Sequence, residues 1–150
     1  GFWDQMESDK DCMIRGEQKA IGPGGIIRTG KECLFTPTRL WLNYKGIERS
    51  NGEASYFDGR ERQKIYSSLL TENVVQHLHR LIVAEQMLEI AGAGIKVALW
   101  PYDEVVAVVP EDAAEVAKEY MIQVMKTSPG WAAGLPLAAE GKFGNTYADC

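Results

Sequence analysis

Residues 95–109 read IKVALWPYDEVVAVV, two largely apolar runs on either side of a short turn-like segment. Apolar and β-branched residues fill both of its ends, and such residues favour strands. The four residues between them, Pro101-Tyr102-Asp103-Glu104, are typical of a turn, because proline and short acidic side chains tolerate turn geometry. The stretch therefore predicts a β-hairpin with two buried arms.

Helices are predicted on both sides of this hairpin. Residues 71–91 repeat apolar side chains at helical spacing, with Thr71 as the N-cap and two glycines after the last turn. Residues 111–126 begin with acidic side chains, which favour the positive end of a helix dipole. The predicted apolar face of this second helix consists of Val116, Tyr120, Met121 and Val124.

The N-terminal half predicts a helix followed by short strands. Apolar residues recur at near-helical spacing over residues 1–21, until the cluster Gly22-Pro23-Gly24-Gly25 ends the pattern. Residues 26–44 contain short runs rich in strand-forming side chains. Residues 50–62 are polar and indicate a loop. The first half is therefore expected to contribute small strands to the fold.

The order of elements predicts one compact α+β unit over residues 1–150. It has a small antiparallel sheet and packs the hairpin against helices. The closing segment, residues 135–150, is expected to begin with a strand near residues 135–139. With 45% hydrophobic and 25% charged residues, the composition is that of an ordinary globular domain with a real core.

The sequence predicts no membrane span and no export. Its longest aliphatic run is residues 105–109, far short of the roughly 20 residues that a transmembrane helix needs. It has no basic-then-apolar N-terminal signal. Three widely spaced cysteines match no metal or disulfide framework and indicate reduced thiols. We expect a cytoplasmic protein.

Charge is distributed unevenly along the chain. Sixteen Lys and Arg against 21 Asp and Glu give a net charge of −5, which argues against a free-standing nucleic-acid binder. Residues 26–64 are locally basic and contain several aromatic side chains. That composition suits a nearby phosphate backbone, and it also suits an ordinary protein surface.

Asp103 and Glu104 are the candidate catalytic and metal-binding pair, because they lie at the tip of the predicted hairpin. Mg²⁺ prefers carboxylate oxygens, keeps several waters and leaves positions open for substrate phosphates. The alternative is that both are ordinary solvated turn residues.

A polar stripe on the preceding helix is a second candidate site. Asn73, Gln76, His77 and Arg80 are spaced i, i+3, i+4 and i+7 and share one helix face. Their donors suit minor-groove acceptors or phosphates, and the alternative is a solvated helix face. His77 and His79 are two residues apart and face different sides, which argues against a His–His metal pair.

The order of these features resembles the C-terminal palm of family A DNA polymerases, particularly those of phages. Residues 70–76 (LTENVVQ) and 101–106 (PYDEVV) resemble the palm helix and the motif C hairpin. Residues 2–7 (FWDQME) resemble the helix that follows the fingers. Residues 35–44 (FTPTRLWLNY) resemble the small palm strands, and residues 140–144 (EGKFG) the closing segment.

This resemblance implies roles for individual residues. Motif C is usually His-Asp-Glu, so Asp103 would bind the catalytic Mg²⁺ ions of a two-metal site, with Glu104 beside them. Tyr102 replaces the usual histidine and would contact the primer end; unlike histidine, it is not cationic near neutral pH. Gln76 would contact the minor groove, and Asn73 and Arg80 would bind the primer–template from the same helix face.

The resemblance also implies a partner, because the motif A aspartate and the fingers helix of motif B are not visible in this sequence. The chain resembles the C-terminal piece of a split polymerase, or a fragment of a longer one, and the N-terminal part would supply motif A, fingers and thumb. Primer–template DNA and deoxynucleoside triphosphates would be the other ligands, in a host bacterial cytoplasm if the protein is phage-encoded. Trp3, Trp41 and Trp131 would face the fragment or pack in the core.

Two other functions remain open from sequence. One is a degenerate palm that acts without catalysis as a binding or scaffolding subunit. The other is an unrelated metal-dependent phosphohydrolase, which needs further carboxylates near Asp103, with Glu140 as the distant candidate.

Overall fold

The computed structural model describes residues 2–149, apart from the side chains of Phe2, Trp3 and Pro23. The fold is α+β, as predicted. Three α-helices lie in the described part: α1 (Phe2–Arg15), α2 (Ser67–Gly92) and α3 (Ala114–Lys126). The chain divides into two compact units rather than one, a first unit Gly1–Leu78 and a second unit His79–Cys150, and α2 contributes residues to both.

The first unit contains two small antiparallel sheets. The four-stranded sheet has the order β1 (Ala20–Ile21), β2 (Ile27–Gly30), β3 (Cys33–Phe35), β4 (Leu42–Asn43). The three-stranded sheet has the order β5 (Glu48–Ser50), β6 (Glu53–Phe57), β7 (Arg62–Lys64). The prediction of short strands within residues 26–44 is confirmed, because β2, β3 and β4 lie there.

A continuous hydrophobic core fills the first unit. Met6 and Met13 are seven residues apart on α1, so they lie on one helix face, and both are fully buried. They pack in one cluster with Leu34 of β3 and Leu70 of α2. Cys12 and Cys33 are buried free thiols, and burial raises the pKa of the Cys33 thiol. The strands and helices of this unit are thus held together by shared apolar contacts.

The helix predicted over residues 1–21 ends earlier, at Arg15. Gly16 takes a left-handed φ of 75°, and the N–H of Glu17 donates to the carbonyl oxygen of Cys12 at 2.9 Å. This is the usual way in which a glycine closes a helix C-terminus. Ile21 consequently lies in strand β1 and not in the helix.

The loop predicted over residues 50–62 is wrong, because β6 lies inside it and β5 and β7 overlap its ends. Asn51 and Gly52 both have positive φ, 51° and 82°, and they connect β5 to β6. An Asn-Gly pair is a strong hairpin signal, because both residues accept the left-handed conformation that the tight turn requires. The polar composition reflects exposed strands, in which Ala54 is buried.

Helix α2 is the longest helix in the described residues, as predicted, but it begins four residues before the expected cap. Thr71 lies inside the helix, where its hydroxyl donates to the carbonyl oxygen of Ser67 at 2.8 Å. The predicted end is confirmed, since the helix stops at Gly92 and Gly94 has a φ of 86°.

The secondary structure of residues 111–139 agrees with the prediction in part. A single 3-10 turn, Glu111–Ala113, leads into α3. The buried residues of α3 are Ala117 and Val124, whereas Val116 is 71% exposed, so the predicted face was wrong at that position. No strand forms near residues 135–139 in the described chain, where Pro136 lacks the N–H that a strand ladder uses.

The hairpin is confirmed, but its arms are not buried. Strands β8 (Lys96–Leu99) and β9 (Val106–Val108) pair antiparallel, with an irregularity between Val97 and Leu99. Leu99 is 53% exposed and Val108 is 62% exposed. A sheet of only two strands has small faces, which pack against too few other side chains to be buried.

Among the described residues, no helix has the length and apolar character that a bilayer crossing requires.

Candidate functional site

A four-residue turn joins β8 to β9 and carries the predicted carboxylates. The N–H of Glu104 donates to the carbonyl oxygen of Pro101 at 2.9 Å and closes the turn. Tyr102 takes a φ of 48°, a left-handed conformation that costs roughly 1–2 kcal/mol for a residue with a side chain. Its side chain is 88% exposed. The turn therefore presents Tyr102, Asp103 and Glu104 together at an exposed tip.

The two carboxylates of the tip have different surroundings. Glu104 Oε2 accepts a hydrogen bond from the hydroxyl of Tyr147 at 3.0 Å. The carboxylate of Asp103 has no hydrogen-bond or ion-pair partner among residues 2–149. The orientation of Glu104 is thus restrained by the chain itself, whereas both oxygens of Asp103 are open to solvent and to ligands.

Arg80 lies against the aromatic residue that precedes the turn. Its guanidinium carbon is 3.4 Å from the centroid of the Trp100 ring, within the range of a close cation–π contact. Both residues belong to the second unit. Arg80 is therefore tied to the base of the hairpin turn.

The other members of the polar stripe mostly contact the first unit's own residues. His77 Nε2 lies 2.7 Å from the carbonyl oxygen of Leu40. Asn73 Nδ2 donates to the hydroxyl of Tyr44 at 3.3 Å. Burial raises the pKa of Tyr44 to about 12, so this hydroxyl is protonated at neutral pH. The side chains of Asn73 and His77 therefore help to pack α2 onto the residues on either side of β4.

Gln76 is the exposed member of the stripe within the first unit. Its Nε2 donates to Glu72 Oε1 at 3.1 Å, a contact one helical turn away on the same surface. Such an exposed contact exchanges readily with a ligand, so Gln76 keeps the donor and acceptor that the sequence argument requires.

The structure brings four of the six predicted site residues into one unit. Tyr102, Asp103 and Glu104 share the turn, and Arg80 contacts the residue next to it. Asn73 and Gln76 belong to the first unit. Among the described residues, no group of three or more His, Cys, Asp or Glu side chains could hold a metal ion. Glu140 therefore does not form such a cluster with Asp103 and Glu104.

The locally basic segment, residues 26–64, uses several of its cations internally. Arg49 pairs with Glu7 and Asp11 on α1, each at 2.9 Å. Arg62 pairs with Glu48, and Lys64 with Glu53. These contacts favour the interpretation of an ordinary protein surface over much of this segment.

The structure places two of the three tryptophans considered for a partner surface. Trp41 is half exposed and lies edge-on to Phe35, with ring centroids 4.8 Å apart. Trp131 Nε1 donates to Glu85 Oε1 at 2.8 Å within the second unit. The side chain of Trp3 lies outside the described residues.

Two residues of this site were missed by sequence reasoning. Trp100 was assigned only to the apolar arm of the hairpin, and Tyr147 lies 43 residues from its partner Glu104. A tryptophan next to a candidate turn was a usable signal, because an indole face binds cations. No local pattern indicates the Tyr147 contact.

Comparison with known proteins gives one informative similarity. The chain resembles the DNA polymerase of Bacillus phage SP02, with 30% identity over 127 residues that cover 81% of this chain and 19% of the relative. This similarity supports a relationship to DNA polymerases. The chain spans about a fifth of the length of the curated relative that it matches.

No family model matches the chain. No solved structure matches it either.

Proposed function

We propose that this chain is the C-terminal palm part of a family A DNA polymerase and contributes to template-directed nucleotide addition. The observation that carries the proposal is the exposed hairpin turn that presents Asp103 and Glu104 side by side. The similarity to a phage DNA polymerase supports the relationship to DNA polymerases on which this proposal rests.

The residues at the tip fit Mg²⁺. This ion is commonly bound through one or two carboxylates, with water and substrate phosphates completing its octahedron. Asp103, whose oxygens have no partner among residues 2–149, would be the direct ligand, and Glu104 would support it. Bound Mg²⁺ would lower the pKa of the primer 3′-hydroxyl and neutralise charge on the triphosphate. The remaining ligand, an aspartate of motif A, would come from the N-terminal fragment.

Other residues of the chain would bind the DNA. The exposed phenol of Tyr102 would contact the primer end by stacking or hydrogen bonding, without the positive charge of a protonated histidine. Gln76 has amide groups that suit minor-groove acceptors. Arg80 would contribute a fixed positive charge, and Asn73 would position α2 through Tyr44.

The proposed partner is an N-terminal polymerase fragment that carries motif A, fingers and thumb. The acidic charge of this chain agrees with such a division, because the basic surface that grips the duplex would belong largely to the fragment. Exposed apolar side chains of the second unit, such as Leu99 and Val108, would supply contact area.

Primer extension tests this proposal. The chain alone, the fragment alone and the mixture are each incubated with a 5′-labelled primer–template, Mg²⁺ and deoxynucleotides, and association of the two proteins is measured in parallel. We expect nucleotide addition only in the mixture. Association without any addition would contradict the proposal and favour the non-catalytic scaffolding subunit. Addition by the chain alone would contradict the division of the active site.

A further inference from the structure

Arg80 occupies an exposed position on α2, and yet its side chain makes a close contact with Trp100. Arg80 projects from α2, where arginines are usually free to change rotamer in water. Here its guanidinium carbon lies 3.4 Å from the centre of the indole ring. This contact holds the cation in one place. The long side chain therefore loses its conformational entropy when the protein folds, and does not lose it again when a ligand binds.

Stacking leaves the hydrogen-bonding edge of Arg80 available. The side chain makes no hydrogen bond or ion pair with the residues that the structure describes, Asp103 and Glu104 included. A guanidinium has five N–H donors in its plane, and a ring contact on its face occupies none of them. Arg80 therefore keeps N–H donors for an anion while it remains over the indole.

Trp100 is well suited to act as the platform. It precedes Pro101, and a following proline restricts the backbone of the residue before it to extended conformations. Its indole Nε1 is buried without a hydrogen-bond acceptor in the described chain. Its ring orientation is consequently set by packing and by the cation, and not by a hydrogen bond of its own.

We propose that Arg80 and Trp100 form a binding site for a backbone phosphodiester of DNA, in which Arg80 binds the phosphate and Trp100 is a positioning residue. This inference rests on the proposed function, from which the phosphodiester class of ligand follows. Trp100 and Asp103 are three residues apart, a Cα separation of at most roughly 11 Å. The phosphate would therefore lie near the turn that presents the catalytic carboxylate, and the site would help to set the register of the strand.

Binding of a defined duplex tests the site, both with the full chain alone at low salt and with its mixture with the N-terminal fragment, which would supply most of the basic surface. The probe is a fluorescein-labelled DNA hairpin duplex with a 5′ overhang, and the dissociation constant is measured by anisotropy from 25 to 200 mM KCl. We expect Arg80→Gln to weaken binding about 5-fold to 10-fold at 25 mM KCl. It should also reduce the slope of log affinity against log salt by about one, as expected for one lost phosphate contact.

Variants of Trp100 distinguish positioning from simple stability. Trp100→Leu is expected to weaken binding about 3-fold or more and to reduce the salt slope. Trp100→Phe retains an aromatic face and should keep most of the affinity and most of the salt slope. Lys96→Gln is the matched control, because it removes a cation from the opposite end of the hairpin, at the pair Lys96↔Val108. We expect it to stay within about 2-fold of the wild type. Circular dichroism melts check that each variant is folded.

Several outcomes would overturn the site. Wild-type affinity and slope in Arg80→Gln would exclude the phosphate contact, and wild-type values in a folded Trp100→Leu would exclude the platform. No duplex binding at 25 mM KCl, either by the chain alone or by the mixture, would overturn the site, and Arg80-dependent binding of poly-glutamate in its place would assign it to acidic protein segments. Arg80-dependent duplex binding without nucleotide addition in any mixture would contradict the proposed function alone.

Discussion

The two units of the molecule differ in how they bury apolar side chains. In the first unit, Met13 and Leu34 are fully buried in a continuous core that joins helices and strands. In the second unit, Leu99 and Val116 are 53% and 71% exposed, and the hairpin has only two strands. The candidate catalytic turn therefore belongs to the less completely covered unit.

This difference in burial indicates that the first unit is the more rigid of the two. A dense core raises the free energy of local opening, whereas regions with few buried apolar contacts open at a low free energy. Exposed apolar side chains are also the surface that a partner protein covers. On the proposed function, the second unit would gain order when the N-terminal fragment covers its hairpin.

The largest expected effect comes from comparing leucines of the two units. Leu34→Ala removes a fully buried side chain and should lower the free energy of unfolding by about 2–5 kcal/mol. Leu99→Ala, at a half-exposed position, should cost less than about 1 kcal/mol. Urea unfolding followed by circular dichroism measures both. Equal losses in the two variants would contradict the difference in burial.

The alkaline stability of the first unit provides a smaller effect. Burial raises the pKa of Tyr44 to about 12, so the unfolded chain, in which a tyrosine ionises near pH 10, loses this proton first. Stability is fully present below pH 10 and falls as the pH rises towards 12, by roughly 1–3 kcal/mol. Unfolding across this range should show a shallower decline in Tyr44→Phe. Tyr66→Phe, at an exposed position, is the control. A loss of stability with pH that is as steep in Tyr44→Phe as in the wild type would exclude Tyr44 as the cause.

The smallest effect concerns the acid stability of the same unit. Glu7 is contacted by Lys10 at 2.6 Å, Ser67 at 2.7 Å and Arg49 at 2.9 Å. The hydrogen bond from Lys10, followed by that from Ser67, lowers the pKa of Glu7 from 4.5 to about 2. The contribution is therefore present above pH 4.5 and is lost as the pH falls towards 2, because the unfolded chain takes up the proton first.

Because Glu7 is about half exposed, solvent screening should limit this contribution to less than about 1 kcal/mol. Glu7→Gln should flatten the dependence of the melting temperature on pH between 4.5 and 2. Glu53→Gln controls for the loss of one carboxylate from an exposed pair. A Glu7→Gln curve that parallels the wild type over this range would refute the assignment.

Sequence reasoning predicted those parts of the fold that depend on local signals. Sequence patterns predicted the hairpin around Pro101, the end of α2 at its glycines and the acidic start of α3. At each of these places, the conformational preference of the residue agrees with the periodicity of its neighbours. The errors at Gly16 and at Asn51-Gly52 came from local signals that were present in the sequence but given too little weight.

Other features depend on contacts between distant residues and had no local signal. Arg80 and Trp100 are 20 residues apart, and their stacking depends on how the second half of α2 packs against the hairpin. Asn73 and Tyr44 meet across 29 residues in the first unit. The exposure of Leu99 likewise depends on how many strands join the hairpin, which its apolar sequence does not reveal.

The assignment of Asp103 as a metal ligand is tested by the rate of single-nucleotide addition in the proposed mixture of this chain with the N-terminal fragment. Asp103→Asn keeps the shape of the side chain but removes the metal-binding charge, and Asp112→Asn makes the same change outside the turn. We predict that Asp103→Asn lowers the rate by on the order of 10³-fold, the equivalent of several kcal/mol of lost charge stabilisation, and that Asp112→Asn changes it by less than about 2-fold. A rate for Asp103→Asn close to that of the wild type, in an enzyme that still binds primer–template, would contradict the assignment of Asp103 as the catalytic metal ligand.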